Sequence, residues 1–314
     1  MIGIMQVSKL HHYSHYSHYS HYSPLISFIA LKSFIIIALS PKVAVFYIFF
    51  RSFAPIMLHY KTIAKDDTKP WIVMIHGAGG SSAVWYRQIG DYREHFNLLL
   101  VDLVGHGGSM EQLVSKEFSF ERAAEQVMEV VDHLKIERAH FMGLSLGSII
   151  VRVIAEEHPD RVDSMVLAGA VTQLGWEART LLRLADWFKH IVPYRLLKWC
   201  IAKAIIPQSR YGKSMHLFLE NAKKVSFDNF LRWLTLSDNL TGRLGRLFTK
   251  RLTIPTLYLM GEGDYLFLPP VYLAAQVSSG YASVVIVPDA GHVCNIDNKT
   301  FFNRTSLDWL LGLK

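Results

Sequence analysis

Short apolar runs that end abruptly in glycine-rich or polar turns constrain this chain more than any other feature. Trp71 to Ile75 runs into His76-Gly77-Ala78-Gly79-Gly80-Ser81-Ser82, and Asn97 to Val101 runs into Asp102-Leu103-Val104-Gly105-His106-Gly107. Ala139 to Leu144, Ser164 to Leu167, Thr256 to Met260 and Val284 to Val287 repeat the pattern. Runs of this length bounded by turn residues read as buried strands. Helical spacing separates them. Ala123, Ala124, Val127, Val130, Val131 and Leu134 fall on one face of Phe120 to Leu134. Gly147 to His158 and Phe301 to Leu311 read as further helices. Such alternation predicts an α/β fold with a mostly parallel central sheet flanked by helices. Ligands in such sheets bind beyond the carboxyl ends of the strands, so the residues just after each run are where chemistry is expected.

Gly143-Leu144-Ser145-Leu146-Gly147 sits where one of these strands gives way to a helix. A tight strand-to-helix turn holds a serine hydroxyl proud of the sheet, at a helix N-terminus that favours developing negative charge. Side chains at Gly143 or Gly147 would collide with neighbouring backbone. The five-residue pattern alone is weak, because any glycine-bounded strand exit produces it; partners strengthen it. A serine nucleophile needs a base, and His292, in Pro288-Asp289-Ala290-Gly291-His292, follows the last strand. The base needs a carboxylate to orient it, and Gly261-Glu262-Gly263-Asp264 follows the Thr256 strand. Asp264 is the candidate and Glu262 the runner-up; the turn after Ser164–Leu167 offers only Gly169, Ala170 and Val171. An oxyanion needs donors, expected from the backbone N–H groups of Leu146 and Ala78. His76, His106 and Asp102 read as loop organisers, and Cys294 as a small apolar filler rather than a nucleophile.

In this order, His76-Gly77, Asp102 to Gly107, the Ser145 elbow, Gly261 to Asp264 and Gly291-His292 resemble the α/β-hydrolase fold family, specifically its esterase-like branch with a helical cap. The resemblance spans residues 57–314. It implies Ser145 as nucleophile, His292 as base, Asp264 as acid and Ala78 with Leu146 as oxyanion donors, with no cofactor and no metal. A serine at the elbow excludes the family's aspartate-nucleophile members, the haloalkane dehalogenases and epoxide hydrolases.

Charge is distributed unevenly. The chain of 314 residues has net charge +7, which by itself would admit nucleic acid or an anionic membrane as partner. Residues 172–251 carry +10 and residues 1–56 carry +4 with no acid, while the remainder carries −7. No nucleic-acid motif accompanies the charge, so nucleic-acid binding is not expected. Residues 57–171 with 252–314 form the expected core, and 172–251 an inserted helical cap. Apolar residues interleaved with Arg and Lys there suit an amphipathic cap covering its own core, or an acyl or aryl pocket roof whose basic groups draw anionic substrates or a membrane surface; the apolar content points to hydrophobic esters. Two cysteines, Cys200 and Cys294, exclude a disulfide scaffold and a cysteine-rich zinc module.

The leader, residues 1–56, has no counterpart in the family pattern. Residues 12–23 repeat His-Tyr-Ser four times and read as low complexity, with metal binding by His12, His15, His18 and His21 the lesser reading. Residues 25–50 are long enough to span a bilayer, but Lys32 and Pro41-Lys42 interrupt them. A central lysine costs about 2.5–3.5 kcal/mol in a spanning helix. A cleaved signal is poorly supported by the thin basic region and the absent small-x-small site. Translation from Met57 would leave 258 residues, one α/β domain, and a cytoplasmic enzyme; a genuine leader implies membrane association.

These readings converge on a serine hydrolase that cleaves carboxylic esters, hydrophobic ones foremost, through an acyl-enzyme. Carbon–carbon bond or thioester hydrolysis with the same triad, and a hydrolase-fold ligand receptor with little turnover, are the alternatives. Oligomeric state has no signature in the sequence.

Overall fold

The computed structural model describes residues 57–313 apart from 65, 67, 113–117, 189–190, 207–211, 223–224, 227–228, 230–231 and 234–239; of the first 56 it describes 2–6, 26–31, 34–38 and 46–48. Two compact units divide the chain, Met1–Ile56 and Met57–Lys314. The first holds strands β1 (Ile2–Gln6), β2 (Ile26–Leu31), β3 (Phe34–Ala38) and β4 (Phe46–Ile48) in that order. β1 and β2 pair in parallel, and the other two pairs are antiparallel. The stretch long enough to span a bilayer is therefore divided among three strands, as its Ile- and Phe-rich composition favours. Among the described residues, no helix is long and apolar enough to cross a membrane. The His-Tyr-Ser repeat lies outside the described residues.

The second unit is built on seven strands: β5 (Tyr60–Ile63), β6 (Trp71–Ile75), β7 (Asn97–Val101), β8 (Ala139–Leu144), β9 (Val162–Ala168), β10 (Thr256–Gly261) and β11 (Ala282–Val287). Their spatial order is β11-β10-β9-β8-β6-β7-β5. Every pairing is parallel except β5 with β7 at one edge. The pleat sorts side chains between two cores. Val73, Ile75, Leu99, Val101 and Phe141 enter one. Ile72, Met74, Leu98, Leu100 and Met142 enter the other.

Helices α1 (Ile89–Tyr92), α2 (Phe120–His133) and α3 (Leu146–Glu157) alternate with these strands. The side chain of Ser119 caps α2 by accepting from Arg122 N at 3.1 Å. The cap contributes about 1 kcal/mol. Each buried valine of the apolar face, Val127, Val130 and Val131, contributes about 1.5–3 kcal/mol, so packing rather than capping fixes this helix. Between β9 and β10 lie α4 (Trp176–Phe188), α5 (Tyr194–Ile205), α6 (Gly212–Ala222) and α7 (Leu240–Thr249). Part of this insert has a small core of its own, Ala185, Leu197, Ile201 and Val225. Helices α8 (Leu268–Val277), α9 (Cys294–Asp297) and α10 (Lys299–Leu311) complete the unit.

Candidate active site

Ser145 occupies the single residue between β8 and α3, with φ 53° and ψ −116°. Few non-glycine residues hold that conformation, which costs about 1–3 kcal/mol and persists only where the surroundings enforce it. Here they do. Ser145 N donates to Ala168 O of β9 at 2.9 Å, and its carbonyl accepts from Ser148 N at 2.8 Å and Ser148 Oγ at 2.6 Å. The flanking glycines meet the expected steric limit: a Cβ at Gly143 would lie 2.4 Å from Gly147 O, and one at Gly147 would lie 2.3 Å from Ile75 O.

The side chain of Ser145 meets its expected partners. His292 Nε2 lies 2.8 Å from Ser145 Oγ, and His292 Nδ1 lies 2.8 Å from Asp264 Oδ2. An ionised carboxylate only accepts, so the Nδ1 proton points at Asp264 and leaves Nε2 to accept from the serine hydroxyl. Both Asp264 and His292 are buried. The turns after β10 and β11 bring them to the carboxyl edge of the sheet, two strands and more from β8. Glu262 is exposed and accepts from Asp289 N at 3.3 Å, so it does not orient the imidazole. The loop after β6 passes directly over the serine: a Cβ at Gly77 would lie 3.1 Å from Ser145 Cβ. Ala78 is the next residue, and Leu146 opens α3, where the first N–H groups of a helix have no intrahelical acceptor.

His76 and His106 take no part in this relay. Nδ1 of His76 donates to Gly77 O at 2.8 Å while Nε2 accepts from Leu103 N at 3.0 Å. Nδ1 of His106 donates to Val104 O at 3.1 Å while Nε2 accepts from Gly79 N at 3.0 Å. Each pairing fixes one neutral tautomer and ties the loop after β6 to the loop after β7. Burial pushes both histidines below their ordinary range, His106 to about 3, with the neighbouring His76 adding to the effect. Asp102 accepts from Ser82 N at 2.6 Å, Gly108 N at 2.8 Å and His59 Nδ1 at 2.8 Å. Burial alone would raise its carboxyl; the bonds from Gly108 and Ser82 outweigh burial and hold it low. Cys294 is fully buried, its Sγ 3.3 Å from Leu259 O, and burial raises its thiol far above the ordinary range.

The model of the alpha/beta hydrolase fold matches residues 70–299. The chain belongs to the α/β-hydrolase fold family. It is 22% identical over 257 residues to 3-oxoadipate enol-lactonase 2 of Acinetobacter baylyi, covering 79% of this chain and 91% of that protein. Among solved structures, the enol-lactonase from Burkholderia xenovorans LB400 aligns with a TM-score of 0.67 at 24% identity, over 81% of this chain and 96% of that one. MenH from S. aureus aligns with a TM-score of 0.67 at 20% identity, over 82% and 99%.

In this α/β-hydrolase a cavity of about 140 Å³ opens on Ser145 and His292. Its body wall includes Val84, Leu144 and Phe267, and its outer wall includes Leu181, Ile201, Leu217 and Phe218 from three helices of the insert. The sequence reading missed several residues that support the site. Phe267 packs its ring 4.9 Å, centroid to centroid, from the imidazole of His292. Asp297 accepts from Gly291 N at 2.9 Å, beside His292, and also bonds the hydroxyl of Ser214 on α6. Its carboxyl is raised by burial. Gln88, Asn295 and Asn303 form a buried amide cluster: Gln88 Nε2 donates to Asn303 Oδ1 at 2.8 Å, and Asn295 Nδ2 to Gln88 Oε1 at 3.1 Å. This cluster pins the segment carrying His292 to the segment after β6.

Proposed function

We propose that this α/β-hydrolase is a serine esterase that cleaves apolar carboxylic esters with a small acyl group, through an acyl-enzyme. The observation that carries the reading is the unbroken relay Asp264–His292–Ser145, with 2.8 Å at each step, opening into an apolar cavity. Ser145 Oγ attacks the ester carbonyl as His292 Nε2 takes its proton. The oxyanion of the tetrahedral intermediate is met by the N–H groups of Ala78 and Leu146. His292 returns the proton to the departing alcohol, then activates the water that releases the acid. Asp264 fixes the imidazole tautomer and stabilises the imidazolium.

Residues 172–251 act as the cap that excludes water and sets acyl size. A cavity of roughly 150 Å³ admits a molecule the size of benzene, which matches the cavity here. The described walls are apolar, and the hydroxyl of Ser214 already bonds Asp297, so a neutral acyl group suits them. The relative from Acinetobacter supports ester chemistry, since an enol-lactone is a cyclic ester. In the test, Ser145→Ala loses labelling by a fluorophosphonate and at least about 10³-fold in hydrolysis of p-nitrophenyl butyrate. Undiminished labelling of that variant would remove Ser145 from the mechanism.

A further inference from the structure

We infer that the outer face of α4 and α5 is a docking surface for an anionic phospholipid bilayer. On α4, Ala178, Leu181 and Ala185 face inward at helical spacing. The opposite side should be polar on a helix that merely covers a core. Instead Trp176, Leu184, Trp187 and Phe188 form a second apolar stripe, with Trp176 70% and Trp187 72% exposed. Ile191, just beyond α4, is 76% exposed, and Leu196 and Trp199 extend the surface onto α5. Seven of the thirteen exposed large apolar side chains among the described residues fall within 176–199. A contiguous patch of this kind marks an interaction surface.

Charge selects the occupant. Exposed Arg179 and Arg183 flank the stripe on α4, and exposed Lys203 follows Trp199 on α5. The segment 172–251 carries +10, while the rest of residues 57–314 carries −7. An anionic surface therefore attracts the insert and repels the body, which turns α4 and α5 toward the lipid. Tryptophan and cationic side chains around an apolar stripe are the composition of helices that lie in a bilayer interface. A second copy of the chain fits poorly, because a two-fold pair through this face would bring two inserts of net charge +10 together. The same two helices wall the cavity through Leu181 and Ile201, so docking there would set the cavity beside esters dissolved in the membrane.

The test uses the full chain, co-sedimented with vesicles of phosphatidylcholine alone and of phosphatidylcholine mixed equally with phosphatidylglycerol. One variant carries Trp176→Ser, Trp187→Ser and Ile191→Ser; the other carries Arg179→Gln and Arg183→Gln. Wild type is expected to bind the anionic vesicles and leave the neutral ones in solution. Both variants should bind at least about tenfold more weakly while hydrolysing soluble p-nitrophenyl acetate at the wild-type rate. That rate also shows that the variants fold, and it separates this surface from the assignment of Ser145. Failure of wild type to bind, equal binding of the variants, or equal binding to neutral vesicles would overturn the inference. So would a dimer in sedimentation equilibrium that the tryptophan variant dissolves.

Discussion

Two histidines at strand ends do opposite work in this molecule, and the difference lies in what faces each ring nitrogen. His292 faces a carboxylate and a hydroxyl, so its protonated form has a partner at each side. His106 faces a carbonyl and an N–H, and a proton on Nε2 would point at Gly79 N–H in a fully buried site. The same holds for His76 against Leu103 N–H. Both are consequently held neutral, with folded values below the roughly 6.5 of an unfolded histidine. Below that value the unfolded chain binds protons that the folded loops exclude, so stability is full above about pH 6.5 and falls as pH drops toward the folded values. For His106 that window reaches down to about pH 3. Urea unfolding at pH 7 and pH 5 should show the wild-type midpoint falling more steeply than that of His106→Gln, which keeps an acceptor but cannot titrate. Parallel falls would mean that His106 is protonated in the native protein.

At the scale of elements, glycine separates positions that the fold cannot alter from positions that it tolerates. Gly147 lies in the first turn of α3, where an added Cβ would press on the carbonyls of Ile75, at the end of β6, and His76 just after it; the strand and helix would have to separate. Gly147→Ala should lower stability by several kcal/mol, or prevent folding, as overpacking between rigid elements does. Gly245 sits mid-helix in α7 with nothing within 4 Å of an added Cβ, so Gly245→Ala should raise stability by about 0.5–1 kcal/mol through helix propensity. Thermal denaturation of the two variants checks both signs. This contrast also explains what the sequence discloses. The strands are legible because apolar runs end abruptly, and Ser145, Asp264 and His292 because they stand in the turns that follow those runs, where the fold brings their side chains together. β9 and β11 start two residues before their apolar runs because Asp163 and Ser283 interrupt the apolar pattern. Helix α8 opens on Pro269-Pro270 and shows no apolar stripe, so periodicity passes it by. The Ser214–Asp297 contact joins residues 83 apart, and the Gln88–Asn295–Asn303 cluster joins isolated amides; neither has a local pattern to read.

For the molecule as a whole, the proposed function assigns reaction and selectivity to different parts. The relay is carried by turns on a seven-stranded sheet, whose strands are hydrogen-bonded neighbours that leave Ser145, Asp264 and His292 little freedom. The outer wall of the cavity comes from the helical insert, whose lining side chains among the described residues are apolar apart from Ser214, already bonded to Asp297. Acyl size should therefore change without loss of the chemistry. Ala202 of α5 is buried and lines the cavity, so Ala202→Phe fills it from the side opposite the sheet. Phe218 of α6 lines it too, and Phe218→Ala enlarges it. Each extra methylene that fits such a pocket is worth about 1–3 kcal/mol in transition-state binding, or roughly 10- to 200-fold in kcat/KM. Across p-nitrophenyl esters from acetate to decanoate, Ala202→Phe should reduce kcat/KM at least about tenfold from butyrate upward and leave acetate within about threefold. Phe218→Ala should move the optimum to longer chains. The filling variant will lose about 1–3 kcal/mol of stability from overpacking, so rates are compared at a temperature where both variants remain folded. If both variants keep the wild-type chain-length profile, the acyl group binds somewhere other than this cavity, and the insert does not set selectivity.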